Sequence, residues 1–253
     1  MTSLERTMCV IQGKIPDRVP VALHNFLMAS KLSGYRLSEC MRNGKLLAES
    51  QVKAWEIFKH DVIMMENGVA ASAEAFGCIV DYSDERAPTV VKGVIERLED
   101  VTKLKLPDPW NTFPISELLK ATGILRKELG DEVFILGRAD QGPLSLGAIL
   151  RGIGGYEEIM VDIALNEKRE LVEHLLDLAC EHCVRFAVAQ IEANTVAVDR
   201  EASEAVVVEK KPERIEEVEY DIFKKVKSLT FSILSPKVIR KMASAKIVTP
   251  ELY

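Results

Sequence analysis

The chain has 253 residues, with 33 Lys and Arg against 39 Asp and Glu for a net charge of −6, 47% hydrophobic residues and five cysteines. That apolar content and small charge exclude a disordered protein, and the length allows one large domain or two modest ones with ample core. Mild acidity argues against a nucleic-acid-coating surface. No run reaches the roughly 18 apolar residues of a membrane span, and the opening Met1–Val10 lacks a charged-then-apolar signal layout. An odd number of scattered cysteines fits a reducing compartment. The chain therefore reads as cytoplasmic, neither secreted nor transmembrane.

In chain order, Val19–Leu23 is a short apolar run after the turn-like Ile15-Pro16-Asp17-Arg18, and a helix is expected from about Lys45 to Lys59. A second run, Asp61–Met65, ends at Asn67-Gly68. A loop-rich section leads to a helix over Ile115–Leu129 and a third run, Val133–Gly137. Helices are expected over Leu144–Leu150, Tyr156–Leu165 and Glu167 to about Glu192, the last with Asn166 as N-cap. A fourth run, Thr195–Asp199, follows. Apolar runs separated by helices predict βα units on a parallel sheet of four strands. From Glu201 to Lys227 the chain is charge-dense and lacks a sustained apolar period, which reads as a linker or an exposed short hairpin and helix. Ser235-Pro236 is a helix start.

Several phrases resemble the uroporphyrinogen decarboxylase superfamily, which includes the methylcobamide:coenzyme M methyltransferases. They are Glu5-Arg6 leading to Asp17-Arg18-Val19-Pro20-Val21, His60–Met64 followed by Glu74-Ala75-Phe76-Gly77, Asp100 with Leu104, Leu106, Pro107 and Asp108, and Gly142-Pro143-Leu144-Ser145-Leu146. Their order and spacing cover residues 1 to about 203. The resemblance implies a (β/α)8 barrel with its site at the C-terminal strand ends. About four of the eight βα units are expected here, a partial TIM barrel. It also implies either tetrapyrrole decarboxylation or methyl transfer from a corrinoid-linked donor to a thiol. The decarboxylase's arginine pair falls on Asn25 and Ala29, which cannot hold an octa-anionic substrate. The methyltransferases hold their thiol on zinc through a His-x-Cys pair and a later Cys. No His-x-Cys occurs in this sequence, so no metal or other cofactor is expected in the chain. In Cys180-Glu181-His182-Cys183 the cysteines share a helical face while His182 points roughly opposite.

Five pocket candidates follow. His24 ends the first strand and is either pocket lining or a structural histidine. Glu66 follows the second strand, as an acid/base or orienting carboxylate or as a solvated strand-end charge. Asp140, with Gln141 beside it, follows the third strand under the same alternatives. Glu74 lies in the Glu-Ala-Phe-Gly phrase, and Asp199 matches a family acidic position although Arg200 beside it is foreign to the pattern.

Residues 221–253, from the basic run before Leu234-Ser235-Pro236 through Ile239-Arg240-Lys241-Met242 to Thr249-Pro250-Glu251-Leu252-Tyr253, resemble the N-terminus of the largest subunit of archaeal-type RNA polymerase. The domain reading is a half barrel over 1–203, a charged junction over 204–220 and this segment over 221–253. Two unrelated resemblances in one chain point to a chimeric or truncated reading frame. The expected function is a truncated superfamily member, inactive as this chain, with an open barrel edge available for self-association. The alternative is a non-catalytic polymerase fragment or fusion.

Overall fold

Local signals set each helix start before packing acts. In the computed structural model, which describes residues 1–196 except 68–69, 139–141, 153–154 and 166, Thr2 caps α1 (Ser3–Ile11). The Thr2 hydroxyl accepts from the Glu5 amide at 3.1 Å while the Glu5 carboxylate accepts from the Thr2 amide at 2.9 Å. β1 (Ala22–Leu23) is followed by α2 (Phe26–Ser33), α3 (Leu37–Cys40) and α4 (Gly44–Phe58). Asn43 caps α4, its side-chain oxygen accepting from the amides of Lys45 at 3.0 Å and Leu46 at 3.2 Å. Then come β2 (Val62–Met65), α5 (Ala70–Ala75), β3 (Ile79–Asp81) and β4 (Thr89–Lys92). A 3-10 helix over Leu98–Lys103 precedes α6 (Ile115–Leu129), β5 (Phe134–Gly137), α7 (Pro143–Arg151), α8 (Gly155–Leu165) and α9 (Arg169–Val196).

β1, β2 and β5 form a parallel sheet in that order, with Ala22 level with Val62 and Met65 level with Gly137. Helices fill the connections, as parallel pairing requires. Ile63, Met65 and Ile135 enter a core made with Leu118, Leu125 and Phe186, while Met64 and Leu136 on the opposite face stay half-buried. A second cluster gathers Phe76, Ile95, Leu146, Leu150, Ile159 and Leu175.

Two differences from the sequence-based expectation stand out. The loop-rich section holds the antiparallel hairpin β3–β4, built on Ile79-Val80 and Thr89-Val90-Val91, whose β-branched character the charged turn between them obscures. The fourth apolar run does not begin as a strand: α9 continues through Thr195 and Val196, and 197–199 lie outside the described residues. The buried stripe Phe186, Ala189, Ala193 keeps helical spacing up to that point, so packing outweighs the β-branched pair. The described residues therefore hold three parallel strands of the four expected. The proposed junction over 204–220 and the segment 221–253 lie outside the described residues.

An ion-pair cluster fixes the start of β2. Asp61, fully buried, accepts from Arg6 at 2.5 Å, from Arg18 at 2.5 and 2.9 Å, from the Ser3 hydroxyl at 2.9 Å and from the Val21 amide at 2.8 Å. Burial works to raise its pKa. The bonds from Arg18, Val21, Ser3 and Arg6 outweigh it and hold the carboxyl at about 2.

Candidate functional site

Parallel strands in register bring their first following residues side by side at one end of the sheet. His24 comes directly after β1, Glu66 directly after β2 and Arg138 directly after β5. Because Met65 is level with Gly137, Glu66 and Arg138 leave adjacent strands at the same height. Glu66 uses both carboxylate oxygens: Oε1 meets His24 Nε2 and Oε2 accepts from Arg138 Nη1. Its side chain is 6% exposed against 52% for His24 and 26% for Arg138. A buried carboxylate thus carries two outward-facing partners.

With the Nε2 proton donated to Glu66, the lone pair of a neutral His24 ring lies on Nδ1. A carboxylate behind an imidazole fixes its tautomer and compensates the charge that forms when the ring accepts a proton. The Phe26 ring stands edge-on to His24 with centroids 5.3 Å apart and limits its rotation. Next to His24, Asn25 keeps both amide atoms out of solvent without a hydrogen-bond partner among the described residues. Asn67, next to Glu66, is buried and donates to the Pro114 carbonyl at 3.0 Å.

Of the five pocket candidates, His24 and Glu66 meet. Glu74 is bonded elsewhere: from α5 its carboxylate accepts the Tyr82 hydroxyl, tying that helix to the residue after β3. Burial and the Glu74 carboxylate push the Tyr82 phenol well above its ordinary value, and the Arg42 guanidinium, 5.0 Å from the ring centroid, opposes this only in part. Asp140 and Asp199 lie outside the described residues. Arg138 escaped the sequence reading although it stands two residues before Asp140. The one signal that could have found it is its place as the first residue after an apolar run, level with Glu66 once the strands are aligned.

The profile of the uroporphyrinogen decarboxylase (URO-D) family matches residues 2–228, most of the chain. The chain belongs to the uroporphyrinogen decarboxylase family. Within that family it is 26% identical over 203 residues to the methylcobamide:CoM methyltransferase MtbA of Methanosarcina acetivorans, a match covering 78% of this chain and 58% of the relative. It is 24% identical over 192 residues to MtaA of Methanosarcina barkeri (74% and 55% covered). It is 25% identical over 193 residues to a uroporphyrinogen decarboxylase of Trichlorobacter lovleyi (74% and 55% covered). A solved methyltransferase from Methanosarcina mazei superposes with a TM-score of 0.67 at 24% identity, covering 76% of this chain and 56% of that one, which shows the shared fold. The chain thus spans somewhat over half the length of the curated relatives it matches. The fold is TIM-barrel-like.

The RNA polymerase resemblance of residues 221–253 finds no counterpart among these matches, and the family profile reaches residue 228, inside that segment. No helix among the described residues is long and apolar enough to cross a membrane. Nor do three His, Cys, Asp or Glu side chains among the described residues converge as metal ligands. In the Cys180–Cys183 stretch, His182 is fully buried against the rings of Phe76 and Phe186, while both cysteines are half-buried.

Proposed function

We propose that this member of the family works at the thiol end of a corrinoid-linked methyl transfer, with His24 taking the proton from the methyl-accepting thiol. The observation that supports this reading is the sharing of Glu66 between His24 and Arg138. One carboxylate balances one guanidinium, so the strand ends present a backed imidazole rather than surplus cations. An octa-anionic porphyrinogen needs unpaired cations, and the positions aligned with the decarboxylase's arginines are Asn25 and Ala29. A thiol asks for a base instead, because the thiolate is the nucleophile. In the step itself the S–H proton passes to His24 Nδ1 and the sulfur electron pair forms the bond to the methyl carbon. The bond between that carbon and its donor breaks and leaves its electron pair on the donor. Glu66 compensates the imidazolium charge, and Arg138 holds Glu66 in place.

Incubation with methylcobalamin and coenzyme M, and separately with uroporphyrinogen, tests this. The expected result is a methylated thiol that falls about 100-fold in H24Q and E66Q, within the range typical of general acid–base catalysis, with no carbon dioxide released from uroporphyrinogen. Decarboxylation would overturn the reading. Absence of product in both assays would instead support a second reading, a non-catalytic chain. That reading is favoured by outer edges of β1 and β5 that carry no further strand among the described residues. Edges of that kind promote pairing between copies, which size-exclusion chromatography detects.

A further inference from the structure

We infer that Gln190 is a positioning residue for Arg138, and that residue 137 is glycine to make room for it. The inference rests on the reading of His24, Glu66 and Arg138 as the working site. Gln190 lies near the end of α9, 52 residues after Arg138, and is 4% exposed. Its Nε2 donates to the Arg138 carbonyl at 3.0 Å and more weakly to the Phe186 carbonyl of its own helix at 3.4 Å. Arg138 stands one residue beyond β5, where the ladder no longer holds its backbone. A side-chain donor from α9 supplies that restraint, and fixing the Arg138 peptide fixes the direction in which its guanidinium leaves toward Glu66.

Gly137 shows the same contact from the other side. It does not adopt a left-handed φ, so its backbone conformation is open to any L-residue. The need for glycine is steric: a Cβ there would lie 2.7 Å from Gln190 Oε1 and 3.3 Å from Gln190 Cβ and Cδ. The backbone of β5 and the Gln190 amide therefore lie against each other. Gln190 Oε1 has no hydrogen-bond partner among the described residues, so the amide is held through Nε2 alone. The methyltransferase step proposed above needs Gln190 for geometry, not for contact with the reacting atoms.

The test uses the full chain labelled with 15N and the Nε–Hε signal of Arg138, assigned by its loss in R138K. The signal is expected to stand apart in the wild type and to merge with the exposed arginines in E66Q. In Q190M, which keeps the bulk over Gly137 and removes the donor, it is expected to merge in the same way. A signal that stays in place in Q190M overturns the inference. A double-mutant cycle gives an independent check. G137A is expected to lower Tm by roughly 2–4 °C, the shift of about 1 kcal/mol in a chain of this size, and to cost almost nothing further in a Q190A background. Equal cost in both backgrounds overturns the steric claim. If Q190M loses the signal yet keeps full methyl-transfer activity, Gln190 still positions Arg138, and it is the reading of the site that falls.

Discussion

Single buried residues set the chemistry and the acid sensitivity of this chain. Glu66 is the clearest case, because its two oxygens are committed to different partners. In E66Q the amide can still accept from one of them, but Arg138 loses its counter-charge. The expected cost is about 1–3 kcal/mol, the range for breaking a hydrogen bond to a charged group, read as a lower urea midpoint with an unchanged slope. His182 acts on pH instead. Its ring is fully buried, both nitrogens lack hydrogen-bond partners among the described residues, and burial lowers its pKa from the ordinary 6.5 to about 4. Between those values the unfolded chain binds a proton that the folded chain does not, so stability falls as pH drops from 6.5 toward 4. The shift corresponds to a loss on the order of 3 kcal/mol. His182→Leu should flatten this part of the pH–stability curve, which thermal melts at pH 7 and pH 5 would show. An equal Tm drop in wild type and variant would refute it. Sequence reading separated His182 from the cysteines beside it by helical spacing. It did not find the Phe76 ring against His182, because Phe76 lies over a hundred residues away.

At the scale of elements, the close approach of α4 to α6 rests on Gly44. A Cβ there would collide with the Glu117 carbonyl and lie 3.0 Å from Lys120 Cβ, while the Gly44 amide donates to Glu117 Oε2 at 2.8 Å. Gly44→Ala is expected to destabilise by about 1–3 kcal/mol through overpacking, although alanine is in general the better helix former. A gain in stability in urea unfolding would show that the helices shift apart without strain. The α4 and α6 spans were legible in the sequence from their apolar period, within a residue or so of their bounds. The hairpin β3–β4 was not, because its strands have only three and four residues and a charged turn separates them. The end of α9 was misread for a related reason: Thr195 and Val196 favour a strand locally, while the packed stripe behind them extends the helix.

At the scale of the molecule, the site sits at one end of the parallel sheet and the Asp61 cluster at the other. Asp61 ties α1, the Asp17-Arg18 turn and β2 together through Arg6, Arg18, Ser3 and Val21. Its folded pKa of about 2 lies below the ordinary 3.8, so this contribution is present above pH 4 and is lost as pH falls through 2. Acid unfolding should therefore have two stages, His182 acting first and Asp61 second. Asp61→Asn, which leaves two guanidinium groups with one fewer carboxylate, is expected to cost about 3 kcal/mol and to weaken the lower stage, which Asp17 and Asp84, also held below their ordinary values, still share. By itself the sequence carried a family resemblance in its short phrases, and its local periodicity and turn chemistry placed helix-separated parallel strands with His24 and Glu66 at strand ends. Only the tertiary structure decided which charges meet. Register across β2 and β5 put Arg138 beside Glu66, and packing of α9 brought Gln190 onto Gly137, contacts between residues 52 or more positions apart. Such contacts depend on how whole elements stack, and no short window of sequence contains both partners.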